Sequence, residues 1–378
     1  MQKFKFGIIG CGLMGREFAS AAARWCHLLD QSAKPEIIAI CDKNKDLFDW
    51  YTLNFSSISM TTTDHLELLA NDDVDAIYCA VPHSFHKDIY IDIIRAGKHL
   101  LGEKPFGIDK TANEAILAEI AKQPDVLVRS SSEFPYYPGA QRVVKAIRDN
   151  EFGKIIEVNV GFLHSSDINP DKVINWKRMV NINGEYGCMG DLGLHVFHLP
   201  LRMGWMPKRV YAQLSNLMTE RPDGKGNSVP CETWDNAILN CDVETEGGQT
   251  FPMNCKTYRI APGEIDTWYI EIKGTHKCIS YSTKYPKTLM TMKYKPGDSQ
   301  EWRREDLGYE TIYPCITGGI FEFGFTDAIL QMWAAFIEEL STSVLGEFGC
   351  ATPKETHQSH LIFTAALESN KYKKVVEL

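Results

Sequence analysis

The stretch Phe4-Lys5-Phe6-Gly7-Ile8-Ile9-Gly10-Cys11-Gly12-Leu13-Met14-Gly15 decides the fold of this 378-residue chain. An apolar run typical of a strand leads directly into the pattern Gly-x-Gly-x-x-Gly. Gly10 permits a tight turn, Gly12 lets the backbone approach a pyrophosphate, and Gly15 allows close packing of helix on strand. The stretch therefore predicts a strand, a turn that binds phosphates through the segment 10–15, and a helix whose amino end faces those phosphates.

The carboxylate of Asp42 follows the next predicted strand, Glu36–Cys41. In dinucleotide-binding folds an acid at this place accepts hydrogen bonds from the adenosine ribose. Its charge would also repel a 2′-phosphate. The pattern therefore predicts NAD as the cofactor and makes NADP the less favoured one. The alternative interpretation is an ordinary glycine turn beside an unrelated surface acid.

Charge and composition exclude several classes of protein. Lys and Arg number 40 against 49 Asp and Glu, for a net charge of −9, which disfavours binding to nucleic acid. No apolar run approaches the roughly 20 residues of a membrane span. The strand-like run begins almost at Met1, so we expect no secretory signal, and the eleven cysteines contain no Cys-x-x-Cys pair. The chain is expected to lie in the reducing cytoplasm, without a disulfide framework.

The pattern along the chain predicts two domains. Residues 1–130 alternate short apolar runs with helical periods, which predicts a Rossmann-type α/β domain with a parallel sheet. Residues 131–378 carry consecutive strands with few helices between them, which predicts an α+β domain with a mainly antiparallel sheet. The strands predicted in the first domain are Phe4–Ile9, Glu36–Cys41, Val74–Val81, His99–Gly102 and Val126–Ser130.

Three further segments carry chemistry-bearing residues. Glu103-Lys104-Pro105 follows a predicted strand, and the carboxyl ends of parallel strands form the edge where ligands bind. Pro82-His83-Ser84-Phe85-His86 follows the preceding strand, and Asp191-Leu-Gly-Leu-His195 lies in the second domain. Together with the glycine pattern and Asp42, these segments resemble the family of glucose–fructose oxidoreductase, inositol dehydrogenase and the rhizopine-catabolism protein (Gfo/Idh/MocA).

The resemblance covers essentially the full length and implies roles for individual residues. It implies that Lys104 contacts both the substrate and the nicotinamide ribose, and that the Lys104–Pro105 peptide is cis. It places Pro82, His83, His86 and Glu103 at the cofactor. It further implies Asp191 beside Lys104, His195 as the general base, and a second domain whose open-faced sheet pairs with another subunit. A homodimer or homotetramer is therefore expected.

Asp191, His195 and His198 stand at helical spacing and share one face of a helix. An imidazole with a pKa of about 6.5 is suited to take the hydroxyl proton of a secondary alcohol. Two alternatives remain open at this point. The three side chains could bind Zn²⁺, although nothing else in the sequence requires a metal and we expect none; or His195 could simply be a core residue. The resemblance assigns no role to His198.

The predicted substrate is a sugar, glycoside or polyol. The family's Asn-Tyr-Arg-Phe-like stretch is replaced here by Ser131-Ser132-Glu133-Phe134-Pro135, and the added Glu133 predicts a preference for neutral substrates over acids. Trp176 and Tyr186 are predicted to stack on the sugar, with core packing as the alternative for each.

The sequence therefore predicts an NAD(P)-dependent oxidoreductase in which Lys104, Asp191 and His195 handle the proton. A second interpretation is NAD-assisted cleavage of a glycoside by transient oxidation, elimination and reduction. A third is a non-catalytic regulator that senses nucleotides, and a fourth is a zinc hydrolase. Product analysis and metal content distinguish these four interpretations.

Overall fold

A six-stranded parallel sheet organises the first part of the structure, a computed structural model that describes residues 1–378. The strand order is β3-β2-β1-β4-β5-β6, and all pairings are parallel. The strands are β1 Gln2–Ile9, β2 Ala33–Cys41, β3 Met60–Thr62, β4 Ala76–Cys79, β5 His99–Gly102 and β6 Val128–Ser130. The connecting helices are α1 Leu13–Ala23, α2 Phe48–Asn54, α3 His65–Leu69, α4 His86–Arg95 and α5 Lys110–Ile120.

This arrangement confirms the predicted Rossmann-type fold. The central strands are buried on both faces, which is why their sequences lack polar alternation. The one strand of this sheet that was not predicted is β3, whose three residues are too short to show any periodicity. It lies at the edge of the sheet beside β2.

A nine-stranded sheet organises the second part. Its order is β16-β15-β14-β13-β7-β12-β11-β8-β17, and β7–β12 is its one parallel pair. The strands are β7 Ile155–Leu163, β8 Pro207–Ser215, β9 Glu220–Pro222, β10 Ser228–Pro230, β11 Asn236–Glu244, β12 Thr250–Tyr258, β13 Thr267–Gly274, β14 Lys277–Ser282, β15 Thr288–Lys293, β16 Arg303–Asp306 and β17 Val376–Glu377, with β9 and β10 forming a separate hairpin. The prediction of a mainly antiparallel α+β domain is confirmed.

The remaining helices are α6 Pro138–Arg148, α7 Val180–Asn183, α8 Cys188–Arg202, α9 Phe325–Thr342 and α10 Pro353–Tyr372. Helix α8 packs on strands β7, β11 and β12 and is buried over nearly its whole length. None of the helices combines the length and apolar composition that crossing a membrane requires.

The two compact units differ from the predicted division at residue 130. The first unit comprises Met1–Tyr136 and Thr311–Thr356, and the second comprises Tyr137–Glu310 and His357–Leu378. The late segment joins the first unit because Trp333 of α9 stacks on Phe18, at 3.6 Å between ring centroids, and meets Phe6 edge-on. These aromatic contacts connect residues some 300 positions apart, which no local pattern reveals.

Candidate functional site

The glycine segment forms the turn that the sequence predicts. Gly10 has φ +97°, and a Cβ there would lie 2.5 Å from the carbonyl oxygen of Ala80. A Cβ on Gly15 would lie 2.3 Å from the carbonyl oxygen of Gly10, whereas one on Gly12 would meet nothing within 4 Å. The chain is therefore close-packed beneath the turn and open at Gly12, where a pyrophosphate would approach. Helix α1 begins directly after it with no acidic residue in its first turn.

Asp42 lies next to this turn and holds it. Its carboxylate accepts hydrogen bonds from the backbone N–H of Cys11 and of Asn44, each at 2.8 Å. The neighbouring Lys43 donates to the carbonyl of Thr63 at 2.7 Å. The acid predicted from its position after β2 is thus fixed against the glycine turn, which suits a dinucleotide-binding site.

His86 is the second of the two histidines that follow β4, and backbone groups bind its ring. The ring of His86 is buried, bonds the carbonyl of Val81 through Nε2 at 3.0 Å, and accepts the N–H of Gly107 at Nδ1 at 3.3 Å. The ring also stacks on Tyr90. Both ring nitrogens thus bind backbone groups and fix the orientation of the ring, and a cofactor contact of His86 stays a prediction. Cofactor contacts of Pro82 and His83 stay predictions.

The segment after β5 carries Glu103, Lys104 and the cis Lys104–Pro105 peptide that the resemblance implies. Glu103 is buried, and its carboxylate accepts the hydroxyl hydrogen of Tyr78 at 2.7 Å. Burial, followed by the charge of Glu103 and then that of Glu133, raises the pKa of Tyr78 well above its ordinary value. The carboxylate of Glu133 is thus buried near the same strand ends, rather than exposed to solvent.

In the second unit, Asp191 forms ion pairs with two cationic side chains. The ammonium of Lys177 donates to both carboxylate oxygens, at 3.0 and 2.9 Å, and the guanidinium of Arg259 reaches one of them through Nε at 3.2 Å and Nη2 at 3.0 Å. Arg259 also donates to the backbone carbonyl of Lys177 at 3.0 Å. We call Lys177 and Arg259 the cationic clamp around Asp191. Sequence reasoning did not assign Arg259, which lies 68 positions from Asp191.

His195 lies one turn further along α8, with its side chain almost fully buried. Its ring meets Phe162 edge-on at 5.6 Å between centroids, and its backbone carbonyl accepts the indole N–H of Trp268 at 2.9 Å. The spacing of Asp191 and His195 predicts that they share one helix, and α8 confirms that placement. The catalytic role of each stays a prediction.

The surroundings of these residues disfavour a metal ion. His198 lies 3.2 Å from a guanidinium nitrogen of Arg202, and Asp191 is already bound by the cationic clamp. Cations at these positions would repel a divalent ion. The protein shows no group of three or more His, Cys, Asp or Glu side chains placed to bind one.

The two aromatic residues predicted to contact a sugar, Trp176 and Tyr186, differ in how deeply they are buried. Tyr186 is buried, its hydroxyl pairs with that of Thr364 at 2.8 Å, and its ring packs against Phe363. These contacts agree with the alternative of core packing, and a sugar contact of Tyr186 stays a prediction. Trp176 is partly exposed beside the ammonium of Lys177, and its contact with a sugar stays a prediction.

Comparison with known protein families adds two matches. A model described as an oxidoreductase family with an NAD-binding Rossmann fold matches residues 4–131, and a model of the GFO/IDH/MocA C-terminal domain matches residues 140–280. Together they cover well over half of the chain.

Individual relatives are more distant. Levoglucosan dehydrogenase of Pseudarthrobacter phenanthrenivorans is 25% identical over 230 residues, 60% of this chain and 58% of that protein. Glucose-6-phosphate 3-dehydrogenase of Bacillus subtilis is 27% identical over 287 residues, 75% of each chain. A solved structure of levoglucosan dehydrogenase in complex with NADH shares the fold, with a TM-score of 0.89 and 21% identity over 100% of this chain and 99% of that one. The aligned segment spans little more than half of the first of these relatives.

Proposed function

The chain belongs to the Gfo/Idh/MocA oxidoreductase family, and from that premise we propose that it moves a hydride between NAD and a sugar. The reacting carbon bears the secondary hydroxyl or keto oxygen of a sugar, glycoside or polyol. The observation that carries the proposal is the combination of the glycine turn fixed by Asp42 with a buried Asp191–His195 helix face. Several relatives are named as sugar dehydrogenases or reductases, which supports the substrate class.

The residues present fit the dinucleotide. The open space at Gly12 and the amino end of α1 are suited to the pyrophosphate, and the Asp42 carboxylate to the ribose hydroxyls. When bound, NAD supplies the hydride chemistry. We propose that Lys104 hydrogen-bonds the reacting hydroxyl and that His195 takes its proton. The cationic clamp stabilises Asp191 as a carboxylate, so Asp191 orients its neighbours rather than accepting the proton.

The direct test measures NADH absorbance when the purified protein meets NAD⁺ and a panel of sugars, glycosides and inositols. NADH formation with at least one compound supports the proposal. Release of an aglycone without net NADH would instead indicate NAD-assisted glycoside cleavage. Failure of every compound, in a protein whose melting temperature rises with NAD⁺, would favour a nucleotide-sensing regulator.

We expect Lys104→Ala to lower turnover by at least about 100-fold, because a positioned proton-handling group contributes at least that factor. The measurement is kcat with the best substrate of the panel. Lys87→Ala is the matched control, since Lys87 is an exposed lysine of the same unit, and it should retain its turnover. Turnover of the Lys104 variant equal to that of the wild type would remove Lys104 from the mechanism.

We also propose NAD rather than NADP as the cofactor, and Asp42→Ser tests this. The variant loses the acceptor for the ribose and the hydrogen bond to Cys11, so NADH affinity should fall at least about tenfold while the preference over NADPH shrinks. Fluorescence titration gives both dissociation constants. Asp46→Ser, which removes an exposed acid nearby, should leave both unchanged. An unchanged NADH/NADPH ratio in Asp42→Ser would contradict the assignment.

We further propose association of two or four copies through the outer face of the nine-stranded sheet, opposite α8. This face carries polar side chains, with Asn254 bonded to Asn159 at 3.0 Å and Lys273 to Glu157 at 2.7 Å. Hydrogen bonds among these side chains hold the face in one arrangement. Light scattering of the purified protein measures the number of copies.

A further inference from the structure

His164 follows directly after β7 and has no role in the reaction proposed above. Its ring meets that of Phe162 edge-on at 5.9 Å between centroids, and Phe162 in turn meets His195 at 5.6 Å. Residues two apart in a strand share a face, so His164 points to the side of the sheet that α8 covers. Two imidazoles therefore lie on the same face, with one phenylalanine between them.

The hydrogen bonds of His164 fix which nitrogen carries the proton. Its Nδ1 accepts the backbone N–H of Ser166 at 3.3 Å, so the neutral ring carries its hydrogen on Nε2. No protein group accepts that hydrogen, although the ring is only half-exposed. The Nε2–H of His164 can therefore donate to a ligand, in a region where most polar groups are already paired with protein groups.

Burial keeps the ring of His164 neutral. Burial is the main cause that lowers its pKa to about 4, and the charges of Arg259 and Lys177 act in the same direction. Asp191 and Asp167 act in the opposite direction and are outweighed. At pH 6–9 the ring is therefore an uncharged donor placed beside the cationic clamp.

We propose that His164 is a specificity-determining residue that donates its Nε2 hydrogen to a hydroxyl or ether oxygen of an uncharged sugar. The inference rests on the proposed oxidoreductase function and deepens it. The clamp already neutralises Asp191, and His164 adds a neutral donor that matches an oxygen lone pair. A sugar that lacks the oxygen would leave this donor unpaired, which is costly in a partly dehydrated site.

The test compares His164→Leu and His164→Gln with the wild type on the sugar that the wild type oxidises best and on its monodeoxy derivatives. In His164→Leu we expect KM to rise at least about tenfold, with kcat within a factor of about three. For the wild type, the derivative that lacks the contacted oxygen should show the same rise in KM. For His164→Leu, the KM of that derivative should be no higher than the KM of the parent sugar. His164→Gln, which keeps a donor, should recover part of the loss.

His99→Leu is the matched control, because His99 is also half-buried and also accepts a backbone N–H at Nδ1, from Leu127 at 2.9 Å. His99 lies at the first residue of β5, at the opposite end from the strand's carboxyl edge. Its replacement should leave the deoxy-sugar pattern unchanged. Equal losses on every deoxy sugar in His164→Leu and the wild type would overturn the inference.

Failure of the proposed function is separately visible, because the wild type itself would then form no NADH with any sugar. In that case calorimetry measures the binding of the same sugars to the NADH-loaded wild type and His164→Leu proteins. Weaker binding of one sugar to the variant would support the role of His164 in recognition. Equal binding, or no binding to either protein, would overturn it.

Discussion

Replacing His195 with asparagine is expected to lower kcat by about 10² to 10⁴-fold, the range for loss of a general base. A secondary alcohol must lose its hydroxyl proton as the hydride leaves, and we propose that the His195 ring accepts that proton. Phe162 packs on the ring, and Trp268 bonds the backbone at the same residue. Buried packing of this kind leaves little room for water to replace the imidazole. The measurement is steady-state oxidation of the best substrate of the panel.

The pH profile separates a proton acceptor from a residue that is only structural. Oxidation by the wild type should rise with pH as the base loses its own proton, and this rise should be missing in His195→Asn. The residual activity of the variant should recover at high pH, where hydroxide can take the proton. NADH affinity should stay within about a factor of two, since the change lies outside the glycine turn and Asp42.

His198→Asn is the matched control for this experiment. His198 is on the same helix and is as deeply buried, but it faces the guanidinium of Arg202. Its replacement should lower the melting temperature and leave the pH profile of kcat unchanged. If His195→Asn kept more than a third of the wild-type turnover at neutral pH, another group would have to be the base.

The parts of the site that the sequence predicted are those encoded in short segments. The roles of Gly10 and Gly15, and the place of Asp42, follow from local spacing after single strands. The common helix face of Asp191 and His195 is equally local. In each case the backbone geometry is set within a few residues, so a pattern in the sequence is enough.

The parts that were missed depend on the register of the second sheet. Arg259 follows β12 and reaches Asp191 because β12 pairs with β7 and packs under α8. His164 follows directly after β7 and enters the same region through the same pairing. Neither residue stands in a recognisable motif. An arginine and a histidine just beyond neighbouring strand ends were the available signal, but the pairing of β7 with β12 was not visible in the sequence.

The division into the two units and the burial of Tyr186 were not visible in the sequence for a similar reason. Helix α9 is apolar on nearly every side, which indicates burial but does not say in which unit. Tyr186 is one aromatic residue among many, and its pairing with Thr364 joins positions 178 apart. Long-range packing decides both outcomes.

Replacing Arg178 with methionine is expected to lower the free energy of unfolding by about 3–5 kcal/mol. Arg178 is fully buried and pairs with the carboxylates of Asp235, also fully buried, and of Asp167, at 3.6 Å. Its Nη2 donates to the carbonyl of Met218 at 3.1 Å. Methionine fills a similar volume but leaves two buried carboxylates without this cation. Urea unfolding followed by tryptophan fluorescence measures the loss.

The matched control is Arg142→Met, which removes an arginine that also bonds a carboxylate, that of Glu310, through two nitrogens at 3.0 Å each. Both of those side chains are close to half-exposed, at 44% and 48%, so water replaces most of the interaction and the loss should be below about 1 kcal/mol. The comparison sets a buried arginine with carboxylate partners against a half-exposed one. Equal losses in the two variants would mean that Asp235 keeps its charge stabilised without Arg178, through the backbone N–H groups of Leu217 and Met218 that its other oxygen accepts.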